Sequence, residues 1–193
     1  MKKVFVTGLS KTSTKSMTNF LNTSCKINIH HYPINDNLIN RAIKNPSEEN
    51  LKYISKIDGM SDIQVCAIYK ELDKTFNAVF IHTFRDYESW IESYRKHISI
   101  RPTPKKKSMK GYLREKVYGT TSLDISSLRS SFEKYEIEIR KYFANKENFL
   151  AIHINEEKKE EKIYNFLIKN NIKVYEEITY PWIGKSKKWK EGQ

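Results

Sequence analysis

The sequence predicts an α/β fold with a mostly parallel central sheet. Short apolar runs, at residues 4–6, 78–84 and 149–154, alternate with longer segments in which apolar residues recur three or four positions apart. This alternation of strands and amphipathic helices is typical of a parallel sheet covered by helices. Ligands of such folds bind beyond the carboxyl ends of the strands. We therefore expect a binding site at that edge of the sheet.

Length and composition favour one domain over residues 1–193. The formal net charge of +12 is compatible with a polyanionic partner, but the basic residues are scattered and nucleic acid is not expected as the main partner. Cys25 and Cys66 cannot form a disulfide framework and show no zinc-binding spacing, which favours a cytoplasmic protein. The apolar run after Lys3 is too short for a signal peptide or a membrane span, so no membrane association is expected.

The first strand leads into a loop rich in hydroxyl groups and lysines. Gly8 breaks the strand, residues 10–16 read SKTSTKS, and apolar residues then recur at helical spacing. The first N–H groups and the dipole of such a helix point at an anion, so a phosphate or sulfate is expected here. The Walker A pattern is not met, because Ser13 stands in place of its second glycine and Thr14 in place of its lysine. An ordinary ATPase or GTPase is therefore disfavoured.

The elements that follow are predicted from periodicity and capping residues. A strand over residues 26–29 precedes His30 and His31, of which only one can face a given site because strand side chains alternate. Residues 58–62 predict a turn. Helices are predicted over residues 35–44, 47–56, 63–74, 87–97, 124–145 and 157–170.

A second anion site is expected where the strand over residues 78–84 ends. Arg85 follows this strand directly, and Ser93 lies eight residues later in the next helix. A planar guanidinium at a strand end and a hydroxyl two turns into the helix can converge on one phosphate. Residues 99–121 are basic and carry prolines and glycines, which predicts a mobile loop.

These features together resemble the sulfotransferase family. The stretch Lys11-Thr12-Ser13-Thr14 is similar to the family's 5′-phosphosulfate loop, and closest to a short branch with the pattern GxxRTGT, with lysine for the arginine and serine for the glycine. Arg85 and Ser93 have the spacing of the pair that holds the donor's 3′-phosphate, and the segment FIHTFRDYESWIESY resembles the family throughout. Residues 149–167 and 180–183 resemble the end of the same branch. The resemblance implies a three-layer sandwich with P-loop-like topology.

The resemblance also implies a reaction and its binding residues. The donor would be 3′-phosphoadenosine-5′-phosphosulfate (PAPS), the product adenosine 3′,5′-bisphosphate (PAP), and the acceptor a hydroxyl or amine of a small molecule or glycan, with no metal required. Lys11 would stabilise the charge on the leaving oxygen, while Arg85 and Ser93 would hold the 3′-phosphate. The loop residues implied at the 5′-phosphate are Lys11, Thr12, Ser13, Thr14, Lys15 and Ser16.

The transfer needs a group that accepts the proton of the acceptor. Asp62 is the first candidate, because the short branch has an Asp-x-Pro element where this chain has Asp62-Ile63-Gln64, although Asp62 also suits the N-cap of the next helix. His31 is the second candidate, since the branch often has a histidine there. Asp58 is the third.

Two departures from the family's pattern and two alternative functions stay open. Ser16 replaces a tryptophan that stacks on adenine in cytosolic members, and Ser13 in place of glycine would narrow the loop if that position needs a positive φ. A small-molecule or nucleotide kinase is the enzymatic alternative, for which Asp86 would have to bind Mg²⁺. The non-enzymatic alternative is a basic protein that binds polyanions through residues 105–107 and the lysine-rich tail.

Overall fold

A computed structural model, which describes residues 2–174, contains one sheet of five parallel strands in the order β2-β3-β1-β4-β5. The strands are β1 (Lys3–Val6), β2 (Ile29–His31), β3 (Gly59–Ser61), β4 (Ala78–Phe84) and β5 (Phe149–His153). The chain runs from β1 to one side of the sheet and then crosses to β4 on the other. The point where the direction reverses lies beside β1, and this is where ligands bind in open α/β sheets.

Helices connect the strands. Most of the helix ends lie within a few residues of the predicted ends. The helices are α1 (Thr14–Thr23), α2 (Asn37–Lys44), α3 (Glu48–Leu51), α4 (Ile63–Thr75), α5 (Tyr87–Ser99), α6 (Met109–Tyr118), α7 (Ile125–Phe143) and α8 (Lys159–Lys169). Side chains cap five of them, because Asp36, Ser47, Asp62, Ser108 and Asp124 accept hydrogen bonds from backbone N–H groups of the first turn.

The two faces of the sheet bury separate cores, which confirms the three-layer sandwich. Val4 and Val6 of β1 point to the face covered by α1 and α8. Phe5, between them, points to the face covered by α2–α7, because side chains of a strand alternate. Both faces of β1 and β4 are buried, as the unbroken apolar runs predicted.

The prediction of a turn over residues 58–62 is wrong, because Gly59–Ser61 forms β3 between β2 and β1. A Cβ at Gly59 would lie 1.7 Å from the carbonyl oxygen of Val4, so glycine is what lets this strand lie against β1. The strand predicted over residues 26–29 is also displaced, since β2 covers Ile29–His31. Residues 26–28 instead form the bend after α1, where Lys26 has a φ of 56°.

The segment 99–121, predicted as a loop, contains helix α6. Ser108 caps the helix by accepting a hydrogen bond from the Gly111 N–H at 3.1 Å. The carbonyl of Lys105 packs against Gly111, where a Cβ would lie 2.2 Å from its oxygen. The glycine that suggested a loop is therefore a packing position within a helix.

Gly8 is expected to tolerate no side chain. A Cβ there would lie 2.0 Å from Thr83 Oγ1 and 2.4 Å from Thr12 Oγ1, so Gly8→Ala would push β4 from the loop after β1. We expect a loss of about 2–3 kcal/mol in the free energy of unfolding, as for other overpacked interiors, measured by urea denaturation. Ser126→Ala, at an exposed position of α7, is the control. Equal stability of the two variants would contradict this account.

Candidate active site

One cavity of about 690 Å³ opens at the carboxyl ends of β1, β3 and β4. Residues of the loop after β1, of the β3–α4 junction and of α5 and α6 line it. The predicted site residues that the cavity brings together are Lys11, Ser13, Thr14, Lys15, His31, Asp62, Arg85 and Ser93. The loop after β1 and the β4–α5 junction, which the sequence predicted as separate anion sites, therefore line one cavity. Two of the three candidate proton acceptors, His31 and Asp62, line it as well.

Thr12, Ser16 and Asp58 do not line this cavity. Thr12 is fully buried: its hydroxyl donates to the Leu9 carbonyl at 2.7 Å and lies 3.0 Å from Thr83 Oγ1. Its N–H also bonds to Leu9, so Thr12 holds the loop rather than facing a ligand, contrary to the prediction. Ser16 is buried in α1. Asp58 precedes β3, at the opposite edge of the sheet.

The first turn of α1 is left open toward the cavity. Its N-cap, Ser13, has a φ of 64° and makes no side-chain capping bond. This confirms that the loop has a positive φ where the related pattern has glycine. Lys11 also has a positive φ, of 77°, as do Tyr32 and Asp62, which line the same cavity. Non-glycine residues in this strained region cluster at functional sites.

Ser10 ties the loop to three surrounding elements. Its carbonyl accepts a hydrogen bond from Trp90 Nε1 at 2.9 Å, and its N–H donates to the hydroxyl of Tyr118 at 3.0 Å. Its own hydroxyl donates to Asp62 Oδ1 at 2.8 Å. Trp90 is fully buried and stacks on Tyr94. The tryptophan between Arg85 and Ser93 therefore helps to position the loop after β1, a role that its sequence position did not reveal.

Arg85 reaches the loop from the end of β4. Its Nε donates to Ser89 Oγ at 2.9 Å and its Nη1 to the carbonyl of Lys11 at 3.3 Å. Ser89, one helical turn before Ser93, also lines the cavity, although the sequence did not single it out. Within residues 2–174 neither Lys11 nor Arg85 forms an ion pair with a carboxylate. Two half-buried cations thus line the cavity without a directly paired carboxylate among the described residues.

The ammonium of Lys11 is destabilised in this environment. Burial lowers the pKa of Lys11, the nearby guanidinium of Arg101 and then that of Arg85 lower it further, and Asp62 opposes them. A bound anion would reverse these effects, since it would favour the charged form of the lysine.

His31 and Asp62 face each other at the other side of the cavity. His31 Nε2 lies 3.6 Å from Asp62 Oδ2, while Asp62 Oδ1 accepts from the Ile63 N–H at 2.7 Å. Asp62 therefore caps α4 and also lines the cavity. The interpretation of Asp62 as an N-cap and its interpretation as a site residue are thus compatible. As strand alternation predicted, His30 does not line the cavity.

The His31 ring ends a chain of polar contacts. Thr18 Oγ1 lies 2.9 Å from the Thr14 carbonyl oxygen and 2.6 Å from Ser61 Oγ, which in turn lies 2.9 Å from His31 Nδ1. When Thr18 donates to the Thr14 carbonyl, Ser61 donates to Thr18 and accepts from His31 Nδ1. In that arrangement Nδ1 carries the hydrogen, and Nε2 of the neutral ring has a lone pair. Burial lowers the pKa of His31, Asp62 opposes this and Lys15 adds to it, so the neutral form dominates near pH 7.

The fold and site define an α/β protein with a cavity lined by cationic and hydroxyl side chains at the switch point of a parallel sheet. The family model of the sulfotransferase domain matches residues 3–189, which is nearly the whole sequence. The chain belongs to the sulfotransferase family. The short branch within that family stays a prediction, and residues 180–183, on which it partly depends, lie outside the described residues.

Other comparisons add little. No curated protein matches the chain. Among solved structures it is similar to the unliganded crystal structure of a sugar kinase from Janibacter sp. HTCC2649, with 9% identity, 89% of this chain and 95% of that chain covered, and a TM-score of 0.43. Over residues 2–174 no helix has the length and apolar character to cross a membrane. The same residues contain no group of three or more His, Cys, Asp or Glu side chains arranged to hold a metal ion.

Proposed function

We propose that the chain transfers a sulfuryl group from PAPS to a hydroxyl or amine of a small molecule or glycan. The observation that carries the proposal is that Lys11, Arg85 and Ser93 line one cavity with the open first turn of α1, and that His31 and Asp62 line the same cavity. The donor supplies an activated sulfuryl group, whose S–O bond to phosphate breaks as a bond to the acceptor oxygen or nitrogen forms.

The cations of the cavity fit the two phosphate positions of such a donor. The N–H groups of α1, with Ser13, Thr14 and Lys15, are placed to hold the 5′-phosphate. Arg85, already oriented by Ser89, and Ser93 are placed to hold the 3′-phosphate. Lys11 lines the same cavity and directly precedes the loop residues at the start of α1, so its charge is available to stabilise the oxygen that leaves with PAP.

His31 is the better of the two candidates for the proton acceptor. Asp62 Oδ1 accepts two hydrogen bonds, from Ser10 and from the Ile63 N–H, so this oxygen is already engaged by the protein. His31 presents the unprotonated Nε2, and Asp62 Oδ2 lies where it can stabilise the imidazolium that forms. We therefore assign proton acceptance to His31 and electrostatic support to Asp62.

Binding of PAP is expected to depend on Arg85. By calorimetry, PAP should bind more tightly than ADP or ATP–Mg²⁺, and Arg85→Ala should weaken it by about 2–3 kcal/mol, or roughly 30- to 150-fold, because hydrogen bonds to a charged group are lost. Arg95→Ala, an exposed arginine of α5 outside the cavity, is the matched control.

The alternatives give different results in the same experiment. Tighter binding of ATP–Mg²⁺ than of PAP would favour the kinase. If neither nucleotide binds and the protein retains polyanions in a salt-dependent manner, the basic binding protein is favoured.

A further inference from the structure

Besides Lys96, which pairs with Glu92, three cations to which the proposed donor site gives no role line the same cavity. Arg101 follows α5, and Lys110 and Arg114 belong to α6. Arg101 Nη1 lies 2.9 Å from His97 Nε2, which accepts its hydrogen bond. Arg114 is 7% exposed, its Nη1 donates to the Thr121 carbonyl at 3.3 Å, and its guanidinium lies 5.8 Å from the centre of the Tyr94 ring.

No carboxylate pairs directly with these cations in the part of the chain that the structure describes. None of the three forms an ion pair, although Lys106, beside them in sequence, pairs with Glu115. Burial lowers the pKa of Lys110, and Arg114 and Arg101 lower it further. The pKa of His97 falls to about 4, through burial first and then through the positive charges of Arg101, Lys11, Arg114 and Lys110. The like charges are therefore close enough to repel one another.

The cluster lies at the end of the cavity that holds the proton acceptor. Tyr32, which follows His31, has a pKa raised by burial and by Asp62 and lowered by Arg114 and Arg101, so both arginines are near this end. Hydrogen bonds place α6 beside the same end, because Tyr118 of α6 and Asp62 both bond to Ser10, at 3.0 and 2.8 Å. Arg114 lies one helical turn before Tyr118, so the cations of α6 are on the side of the cavity that Asp62 lines.

We propose that Arg101, Lys110 and Arg114 form an oxyanion site for the acceptor, which therefore carries a carboxylate, phosphate or sulfate group besides the hydroxyl or amine that is sulfated. The proposal rests on the proposed function. A buried arginine without a carboxylate, beside two further cations, is stabilised when an oxyanion accepts its N–H groups. A neutral acceptor would leave this repulsion in place, whereas an anionic one would remove it on binding.

The test uses inorganic sulfate as the probe and protein saturated with PAP, so that the donor side is filled. At pH 7 and constant ionic strength, the ring signals of His97, assigned with His97→Gln, should shift saturably as sulfate is added. The double variant Arg101→Ala/Lys110→Ala should weaken this binding about tenfold or more, because charged hydrogen bonds are lost. Arg114 is left unchanged, since replacing a buried arginine would test folding as much as binding.

The control removes the same charge from the same segment. Lys105→Ala/Lys107→Ala replaces two exposed lysines outside the cavity and should bind sulfate like the unmodified protein. The proposal is overturned if His97 shows no saturable shift, if both double variants bind equally, or if sulfate competes with PAP. Failure of PAP to bind would instead reject the donor. The sulfate titration would then be run on Arg85→Ala protein, where it decides on the oxyanion site alone.

Discussion

Replacing Lys11 with alanine is expected to slow turnover of the sulfuryl donor by about 10²- to 10³-fold, as the loss of one preorganised group at a developing negative charge does in other enzymes. The ammonium stabilises charge that grows on the leaving oxygen only as the S–O bond breaks, so the transition state loses more than the bound donor does. The change in PAP affinity should therefore be smaller than that caused by Arg85→Ala. Turnover is followed as release of PAP, to an added acceptor or to water.

Two further variants separate the effect of the Lys11 position from the effect of losing any positive charge. Lys74→Ala removes an exposed lysine of α4 far from the cavity and should leave turnover unchanged. Lys11→Arg keeps the charge and should retain more activity than Lys11→Ala. Because burial and Arg101 lower the pKa of Lys11 in the unliganded protein, kcat/KM for the donor should also fall with rising pH before the usual range of a lysine is reached. Equal losses of turnover and PAP affinity in Lys11→Ala would show that the lysine only binds.

The parts of the site that could be predicted from sequence are those built by neighbouring residues. A strand, a polar turn and a helix form one local unit, so the sequence placed Lys11 and Arg85 correctly at the carboxyl ends of β1 and β4. Even within such a unit, side-chain direction is set by the tertiary structure. Thr12 turns inward because Thr83 of β4 lies 3.0 Å from its hydroxyl, and nothing within residues 10–16 indicates this neighbour.

The parts that the sequence did not reveal depend on contacts between distant segments. The register of β2 and β3 pairs His31 with Ser61, and this pairing places Ser61 Oγ 2.9 Å from His31 Nδ1. It could not be predicted while Gly59–Ser61 was interpreted as a turn. The oxyanion site likewise depends on α6 being a helix, because only then do Lys110 and Arg114, four residues apart, share one helix face.

His31→Ala is expected to slow sulfuryl transfer by about 10²- to 10⁴-fold, the contribution of a positioned general base. Asp62→Asn should cost less, because it leaves Nε2 in place and removes only the carboxylate that stabilises the imidazolium. The two residues act as one unit, so the double variant should lose much less than the product of the single losses. His30→Ala, the neighbouring histidine that does not line the cavity, is the matched control and should transfer at the rate of the unmodified protein.

The pH dependence distinguishes the two roles. Burial lowers the pKa of His31, so the neutral base persists below the usual range of histidine, and transfer should fall only when the pH drops through that lowered pKa. Asp62 raises this pKa, so in Asp62→Asn the acid limb should move to still lower pH. Nitrogen NMR of the ring should show hydrogen on Nδ1 near pH 7, and Ser61→Ala should weaken that preference because Nδ1 loses its acceptor. An acid limb that stays in place in Asp62→Asn and vanishes in His31→Ala would still identify His31 as the base but would deny Asp62 its electrostatic role. Retention of full activity in His31→Ala would return proton acceptance to Asp62.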